Sequence, residues 1–395
     1  MSFRLTDNVT WVGKIDWELQ KFHGEEYSTF KGSSYNAYLV RDEKTVLIDT
    51  VYMPYAKEFV ANLEQQIDLG SIDYVIANHA EIDHSGALPE LLERIPDVPV
   101  YCTPQAVKSL KGYYHKDWNF HPVKTGDTLS LGTRTITFIN AAMLHWPDSM
   151  FCYMDKENIL FSSDAFGHHY ASHRMFNDLV DQGDLMHECI KYYANILTPF
   201  SKLVEKKIQE VVGFGLPVDY IMPGHGIIWR DNPLQIVHKY LEWAADYQEN
   251  QVSVLYDTMW NSTRDMAEAI ARGISSVKPE MTVKLFNVGQ RDKNEVVLEV
   301  FKSKMVVAGS STINKGILSG MAGVLEMIKG LGFKKKLGAA FGSYGWSGES
   351  AGIVAKELEK SGFEMVGDSL KVLWKPDEQA ILQCEAFGKE LAERL

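Results

Sequence analysis

Cysteine is scarce: four in 395 residues, at positions 102, 152, 189 and 384, with no CxxC pair anywhere. That excludes a disulfide framework, a thiolate zinc site and a cysteine-ligated iron centre within the chain. Long apolar runs are missing as well. No stretch approaches the ~18 residues a membrane helix needs. The N-terminus, MSFRLTDNVTW, lacks the basic-then-apolar layout of a signal peptide. The sequence therefore predicts a cytoplasmic protein without a membrane segment. Positive charge is in deficit, 40 Lys and Arg against 52 Asp and Glu, which argues against a nucleic-acid partner, whose phosphates need basic side chains. With 45% apolar residues the chain is neither disordered nor fibrous. At roughly 100 to 200 residues per domain it has room for two or three domains with their own cores.

What is present divides into two patterns. From Trp11 to about Met222 short β-branched runs (YNAYLV, TVLIDT, IDYVIAN, TITFIN, NILFSS, VDYIM) alternate with amphipathic stretches, the pattern of an α/β layer domain. A helical stretch from Leu234 to about Tyr247 closes it, and the polar QENQ at 248–251 reads as a linker. Beyond it comes a regular strand-helix alternation: VSVLY, a helix from about Arg264, VKLF, MVVAG, a helix from Lys315, KLGAAFG, a helix from Gly348 and a last helix. That alternation suits a doubly wound parallel sheet of flavodoxin size. The expected domains are 1–250 and 251–395.

In the first half, acid and imidazole side chains collect where strands end. HAEIDHSG follows IDYVIAN and places His79, Glu81, Asp83 and His84 within six positions. Read as an extended segment, the alternation 79, 81, 83 points side chains one way, so one loop can serve two metal ions. Later strand ends add His145 in LHWPDSM, Asp164 in SSDAFG and His225 in PGHG. A carboxylate can bridge two metals through its two oxygens, and Asp164 is the expected bridge. His115, His121, His168, His169, His173, His187 and His238 read as structural.

This pattern, HxExDH followed by separate His, Asp and His, resembles the metallo-β-lactamase superfamily motif, with Glu81 where hydrolases place a second histidine. The substitution, with the strings YYANIL, HGIIWR, YDTMW and FGSYGWSG, resembles the flavodiiron proteins over the whole chain, most of all the core of the flavorubredoxins. The resemblance implies a metallo-β-lactamase-like αββα sandwich followed by a flavodoxin-like domain. It assigns His79, Glu81 and His145 to one iron and Asp83, His84 and His225 to the other, with Asp164 between them, and it makes His84 the softest ligand. A carboxylate in place of an imidazole suits redox-active iron better than zinc, which counts against the rival reading, a zinc hydrolase. The resemblance also implies nitric oxide or oxygen reduction, a head-to-tail homodimer as the minimum working unit with a tetramer as a larger assembly, and a pocket lined by His23, Tyr27 and the Tyr192/Tyr193 pair, Tyr193 being the preferred proton donor. The sequence ends at Leu395 without a CxxC, so the rubredoxin module of the flavorubredoxins is not expected, and electrons would come from a separate rubredoxin-type carrier. Lys334, Lys335 and Lys336 form a compact basic cluster that could dock such a carrier.

In the second half, Thr258, Met259, Trp260, Asn261, Ser262 and Thr263 join a strand to a helix start, a combination of hydroxyls and backbone N–H groups that cradles a phosphate. Without GxGxxG or a Walker lysine, a mononucleotide is favoured. Two more strand ends, with Ser310, Ser311, Thr312, Ile313 and Asn314, and with Ser343, Tyr344, Gly345, Trp346 and Ser347, reach the same sheet edge, where flavodoxin-like folds hold FMN.

Overall fold

The structure is a computed structural model and describes residues 2–395. The chain forms two compact units: residues 1–192 with 200–242, and residues 193–199 with 243–395. The helix Leu234–Ala244 spans the change from one to the other, short of the linker expected at 248–251.

The first unit has two sheets. One runs Phe3–Arg4, Val9–Trp11, Tyr38–Arg41, Thr45–Ile48, Tyr74–Ile76, Val100–Cys102 and Phe120–Pro122, antiparallel through its first four strands and parallel thereafter. The second runs Thr128–Ser130, Thr135–Asn140, Met150–Met154, Ile159–Ser163 and Tyr220–Pro223, with only the last pair parallel. Alternate residues of both sheets, such as Val46 and Ile48, Ile136 and Phe138, and Cys152 and Met154, meet in one buried core, as two stacked sheets require. Burying one face of each strand this way leaves the strand ends free for polar loops. His79, His145, Asp164 and His225 all lie on loops that follow strands of these sheets.

The second unit is a parallel sheet ordered Thr282–Asn287, Gln251–Asp257, Met305–Ser311, Leu337–Tyr344 and Glu364–Met365, with Leu370–Leu373 also pairing to Leu337–Tyr344. The last two strands were not legible in the alternation. The helices Ser262–Val277 and Glu378–Ala392 approach closely because both carry glycine at the crossing. A Cβ on Gly273 would lie 2.2 Å from the Glu385 carbonyl oxygen. The helix expected from Lys315 begins instead at Ser319. Residues 313–316 form a tight turn, bridged between Ile313 and Gly316, with Asn314 and Lys315 both at positive φ.

The basic cluster at 334–336 does not form a surface patch. Lys336 is buried, donating to the carbonyl oxygens of Phe301 and Ser303 at 2.7 Å each, and Lys335 pairs with Asp246 at 2.8 Å. Burial pushes the Lys336 ammonium down to about 7. An unfolded lysine keeps its proton to about pH 10.4. Between those values the unfolded chain binds more protons than the folded one, so stability rises with pH through the window. The melting midpoint should therefore climb between about pH 7 and pH 9, and Lys336→Met should flatten the climb in scanning calorimetry. None of the described helices is long and apolar enough to cross a membrane, and the four cysteines are free and buried.

Candidate metal centre and flavin cavity

The metal loop departs from the extended run expected of it. The strand Tyr74–Ile76 delivers Asn78 and His79, but the short helix Ile82–Ser85 takes over after Glu81. Consecutive helical residues are about 100° apart, as 3.6 residues per turn requires. Asp83 and His84 are thereby turned away from the direction of His79 and Glu81. The outcome is two donor groups, His79, Glu81, His145 and Asp164 in one and Asp83, His84 and His225 in the other, with the donor atoms of each within 4.8 Å of one another.

Asp164 lies between them. Its Oδ2 is 3.4 Å from His79 Nε2 and 3.3 Å from His145 Nε2. Its Oδ1 is 2.9 Å from His84 Nε2 and 3.5 Å from His225 Nε2. Around these, Glu81 Oε2 is 3.2 Å from His79 Nε2 and Asp83 Oδ2 is 2.9 Å from His225 Nε2. His84, the softest of the expected ligands, is buried and turned inward. The room comes from Gly224, where a Cβ would lie 2.6 Å from the His84 ring.

The chemistry of this donor set fits cations. Both Asp164 oxygens, Asp83 Oδ1 and His84 Nε2 are buried without an aligned hydrogen bond, which a folded protein tolerates poorly unless something else satisfies them. Burial by itself would raise the Asp164 carboxyl and lower the His79 imidazole. The neighbouring imidazoles, His84 first, instead hold Asp164 well below its ordinary value, and Asp148 and Glu81 hold His79 well above its own. Three carboxylates, Glu81, Asp83 and Asp164, stand among four imidazoles, oxygen and nitrogen donors of the kind that hold divalent metal ions.

Outer partners orient the rings. Asp148, fully buried, accepts from His79 Nδ1 at 3.0 Å and from the Ala80 N–H at 2.7 Å. That aims His79 Nε2 at the cluster, as carboxylate partners of metal-binding histidines do. His225 Nδ1 donates to the Ser34 carbonyl at 2.7 Å. The sequence reading missed Asp148, although LHWPDSM carries it three residues after His145.

Beside the donors lies a cluster of aromatic and imidazole side chains. The ribbon of Lys21–Phe22 and Tyr27–Ser28 presents His23, whose Nε2 is 3.3 Å from Glu81 Oε1, and Phe22, whose ring is 5.9 Å from that of His225. Tyr27, His169 and Tyr192 pack together at ring separations of 5.2 to 6.3 Å. The Tyr193 expectation requires correction: its ring packs on Trp243 and Phe301 within the second unit, and Tyr192 holds the position in the cluster. Neighbours in a helix cannot face the same way, and the helix Gln182–Tyr192 gives way at Tyr193 to a π-helical turn. His169, expected to be structural, also belongs to this cluster, its ring 4.9 Å from that of His225. Its Nδ1 is 2.7 Å from Ser33 Oγ, and its Nε2 has no partner among the described residues. Burial, then His225, keeps His169 well below its ordinary value and so neutral. Burial raises the Tyr192 phenol well above its usual value, so it keeps its proton.

In the second unit, a cavity of about 710 Å³ opens at the strand ends, lined by Met259, Trp260 and Ser262, by Ser311, Thr312 and Asn314, and by Ser343 to Ser347. Lys315, Trp374 and Lys375 complete the wall; of these the sequence points only to Lys315. Behind the lining residues Ser311 and Ser343, the buried Thr263 Oγ1 bonds Ser311 Oγ at 2.9 Å and Ser343 Oγ at 2.8 Å. Asn261, at φ 68°, precedes the 16-residue helix Ser262–Val277. Thr258 Oγ1, just ahead of it, is buried without a partner. An unsatisfied hydroxyl before a helix N-terminus, under a cavity of ligand size, fits a phosphorylated ring compound such as FMN. Of the expected residues, Thr258, Asn261, Thr263, Ser310 and Ile313 are not among those that line the cavity. Ser310 is buried, its Oγ accepting from the Leu318 N–H.

Comparison with known proteins identifies the two units. Residues 34–226 match the ODP family beta lactamase and residues 254–388 match flavodoxin. The chain is 52% identical over 396 residues to the anaerobic nitric oxide reductase flavorubredoxin of Klebsiella pneumoniae, aligning over its full length and 82% of the relative. The Citrobacter koseri protein of the same name is 53% identical with the same coverage. Among solved structures, rubredoxin oxygen:oxidoreductase from Desulfovibrio gigas superposes with a TM-score of 0.96 at 38% identity, covering all of this chain and 98% of that one. The flavodiiron protein of Giardia intestinalis gives 0.94 at 32%, covering 96% of that chain. With two donor groups at the strand ends of a β-lactamase-like unit, a flavin-sized cavity in a flavodoxin unit and full-length relatives of this kind, the chain belongs to the flavodiiron protein family of oxidoreductases.

Proposed function

We propose that the protein takes electrons from a rubredoxin-type carrier through FMN in its second unit to a non-haem diiron site in its first, and reduces nitric oxide to nitrous oxide. The observation that carries the reading is the Asp164 carboxylate, with one oxygen toward each donor group. His79, Glu81 and His145 would hold one iron, and Asp83, His84 and His225 the other. Residues 258–263 would hold the FMN phosphate, and the loops at 311–315 and 343–347 its ring. When bound, these groups supply one-electron transfer to a metal-held diatomic gas.

The chain's own part is to shape the pocket and deliver protons. Coupling two NO to N2O and one water consumes two electrons and two protons. Tyr192, whose ring packs on His169 and Tyr27, is the proposed donor of one proton. His23 sits on Glu81 and can carry a second. His169 and Tyr27 extend the polar wall, while Phe22 supplies an apolar one. A positioned acid contributes about a hundredfold or more. Tyr192→Phe should slow turnover by about that factor with iron and FMN content unchanged, whereas Tyr193→Phe should leave the rate within about twofold in a stopped-flow assay.

A second reading, oxygen reduction to water, is supported by the superposition on rubredoxin oxygen:oxidoreductase. The proposed working unit is a head-to-tail homodimer, following the family resemblance. The test is turnover with reduced rubredoxin on NO and, separately, on O2, with iron, zinc and flavin measured on the same sample. Two irons and one FMN per chain with faster NO turnover are expected. Two zinc ions without flavin, or no turnover on either gas, would overturn the proposal.

A further inference from the structure

The cavity in the second unit is asymmetric in charge. Its walls carry two lysines, Lys315 and Lys375, and no carboxylate. The two come from different loops. Lys315 lies in the turn after Met305–Ser311, and Lys375 follows Leu370–Leu373. In the sheet order, both strands lie on the far side of Gln251–Asp257, whose following loop starts the helix suited to a phosphate. With the phosphate at that helix start, held by hydroxyls and N–H groups, the cations would stand toward the ring. Lys315 is held at φ 58° beside Asn314 at φ 48°. Glycine takes such a turn position at less cost, so the lysine is placed there against a local preference. Among the described residues neither lysine forms an ion pair. The nearest acid that senses Lys315 is Glu349, whose carboxyl is lowered first by Ser347 and then by Lys315 and Lys371.

We infer that Lys315 and Lys375 make the cavity prefer reduced over oxidised FMN, and so set the potential at which the flavin accepts electrons. This rests on the reading that the cavity holds FMN. Reduction adds two electrons from the carrier and one proton from solvent to the neutral ring, leaving one negative charge on its pyrimidine side. A cation at the ring end favours that anion and is nearly indifferent to the neutral oxidised ring. Both lysines are exposed at the cavity rim, so solvent weakens the effect and salt screens it.

The experiment is an anaerobic spectroelectrochemical titration of the FMN-loaded protein, comparing wild type, Lys315→Met, Lys375→Met, the double variant and Lys315→Arg. Each Met variant should weaken binding of reduced FMN by about threefold to tenfold relative to oxidised FMN, a fall of ~30 mV in the two-electron potential per tenfold. Lys315→Arg should keep the wild-type value, and the gap between wild type and double variant should shrink at high salt. Retention of oxidised FMN on dilution should fall by less than retention of reduced FMN. A double variant with the wild-type potential, or one that loses both forms of FMN equally, would overturn the inference. So would an unchanged potential with slower, salt-sensitive reduction by an acidic carrier, which would make the lysines a docking rim. A wild-type protein that retains no FMN would instead defeat the functional reading.

Discussion

Replacing Asp164 by Asn should yield a folded, FMN-containing protein with less than one iron per chain and turnover reduced by roughly a thousandfold. Outer partners of metal ligands each cost about 10- to 100-fold in affinity or activity when removed, and Asp164 faces both donor groups at once, so about thirtyfold at each position compounds to that figure. The amide keeps one oxygen acceptor and turns an NH2 toward either His79 and His145 or His84 and His225. It also removes the negative charge shared by four imidazoles. Iron analysis and gas consumption on the same preparation check the prediction. An Asp164→Asn protein that keeps two irons would remove the bridge from the mechanism. Flavin content reports on the other unit and should not move.

The next largest effect is expected at Asp148, which touches no proposed metal position. Asp148→Asn should lower iron affinity by about 10- to 100-fold, with the loss on the His79 side. In the present structure one oxygen serves both the His79 Nδ1 and the Ala80 N–H, and the other, Oδ1, is buried without a partner. An amide can reproduce the first arrangement only by burying an unsatisfied NH2 in place of Oδ1, which costs about 1 to 3 kcal/mol, and it removes the charge that holds the ring in its Nδ1-protonated form. Chelator competition against wild type measures the affinity. Excess iron should restore activity to Asp148→Asn but not to Asp164→Asn, which separates a positioning role from a ligand role.

Much of the first site is legible in sequence because its residue types are improbable where they stand. Acids and imidazoles at the ends of apolar strands cannot be explained by packing, and HAEIDHSG concentrates four of them in one loop. The αββα sandwich and the flavodoxin-like sheet follow from the switch in pattern near the middle of the chain and from the family likeness, and both match what known proteins show. The flavin loops were readable for a related reason: small and hydroxylated residues cluster after strands, where backbone must come close to a ligand.

Other features are not local in sequence. Tyr192 and Tyr193 are equivalent in the string YYANIL, and only the helix phase sends one to His169 and the other to Trp243. His169 has no neighbouring motif; it joins the cluster beside the donors because the fold sets it on Ser33 and beside His225. Lys336 reads as part of a solvated charge run, yet tertiary packing buries it on two carbonyls.

By itself, then, the sequence determined which chemistry this chain can hold: oxygen and nitrogen donors in place of thiolates, and a flavin loop without a dinucleotide motif. The tertiary structure decided how the donors divide into two groups around Asp164, which tyrosine faces them, and that Lys315 and Lys375 share one cavity. The reason is directional. Composition and spacing specify which groups are available, but whether two side chains meet depends on strand pleat, helix phase and sheet order, and these are settled only when distant segments pack.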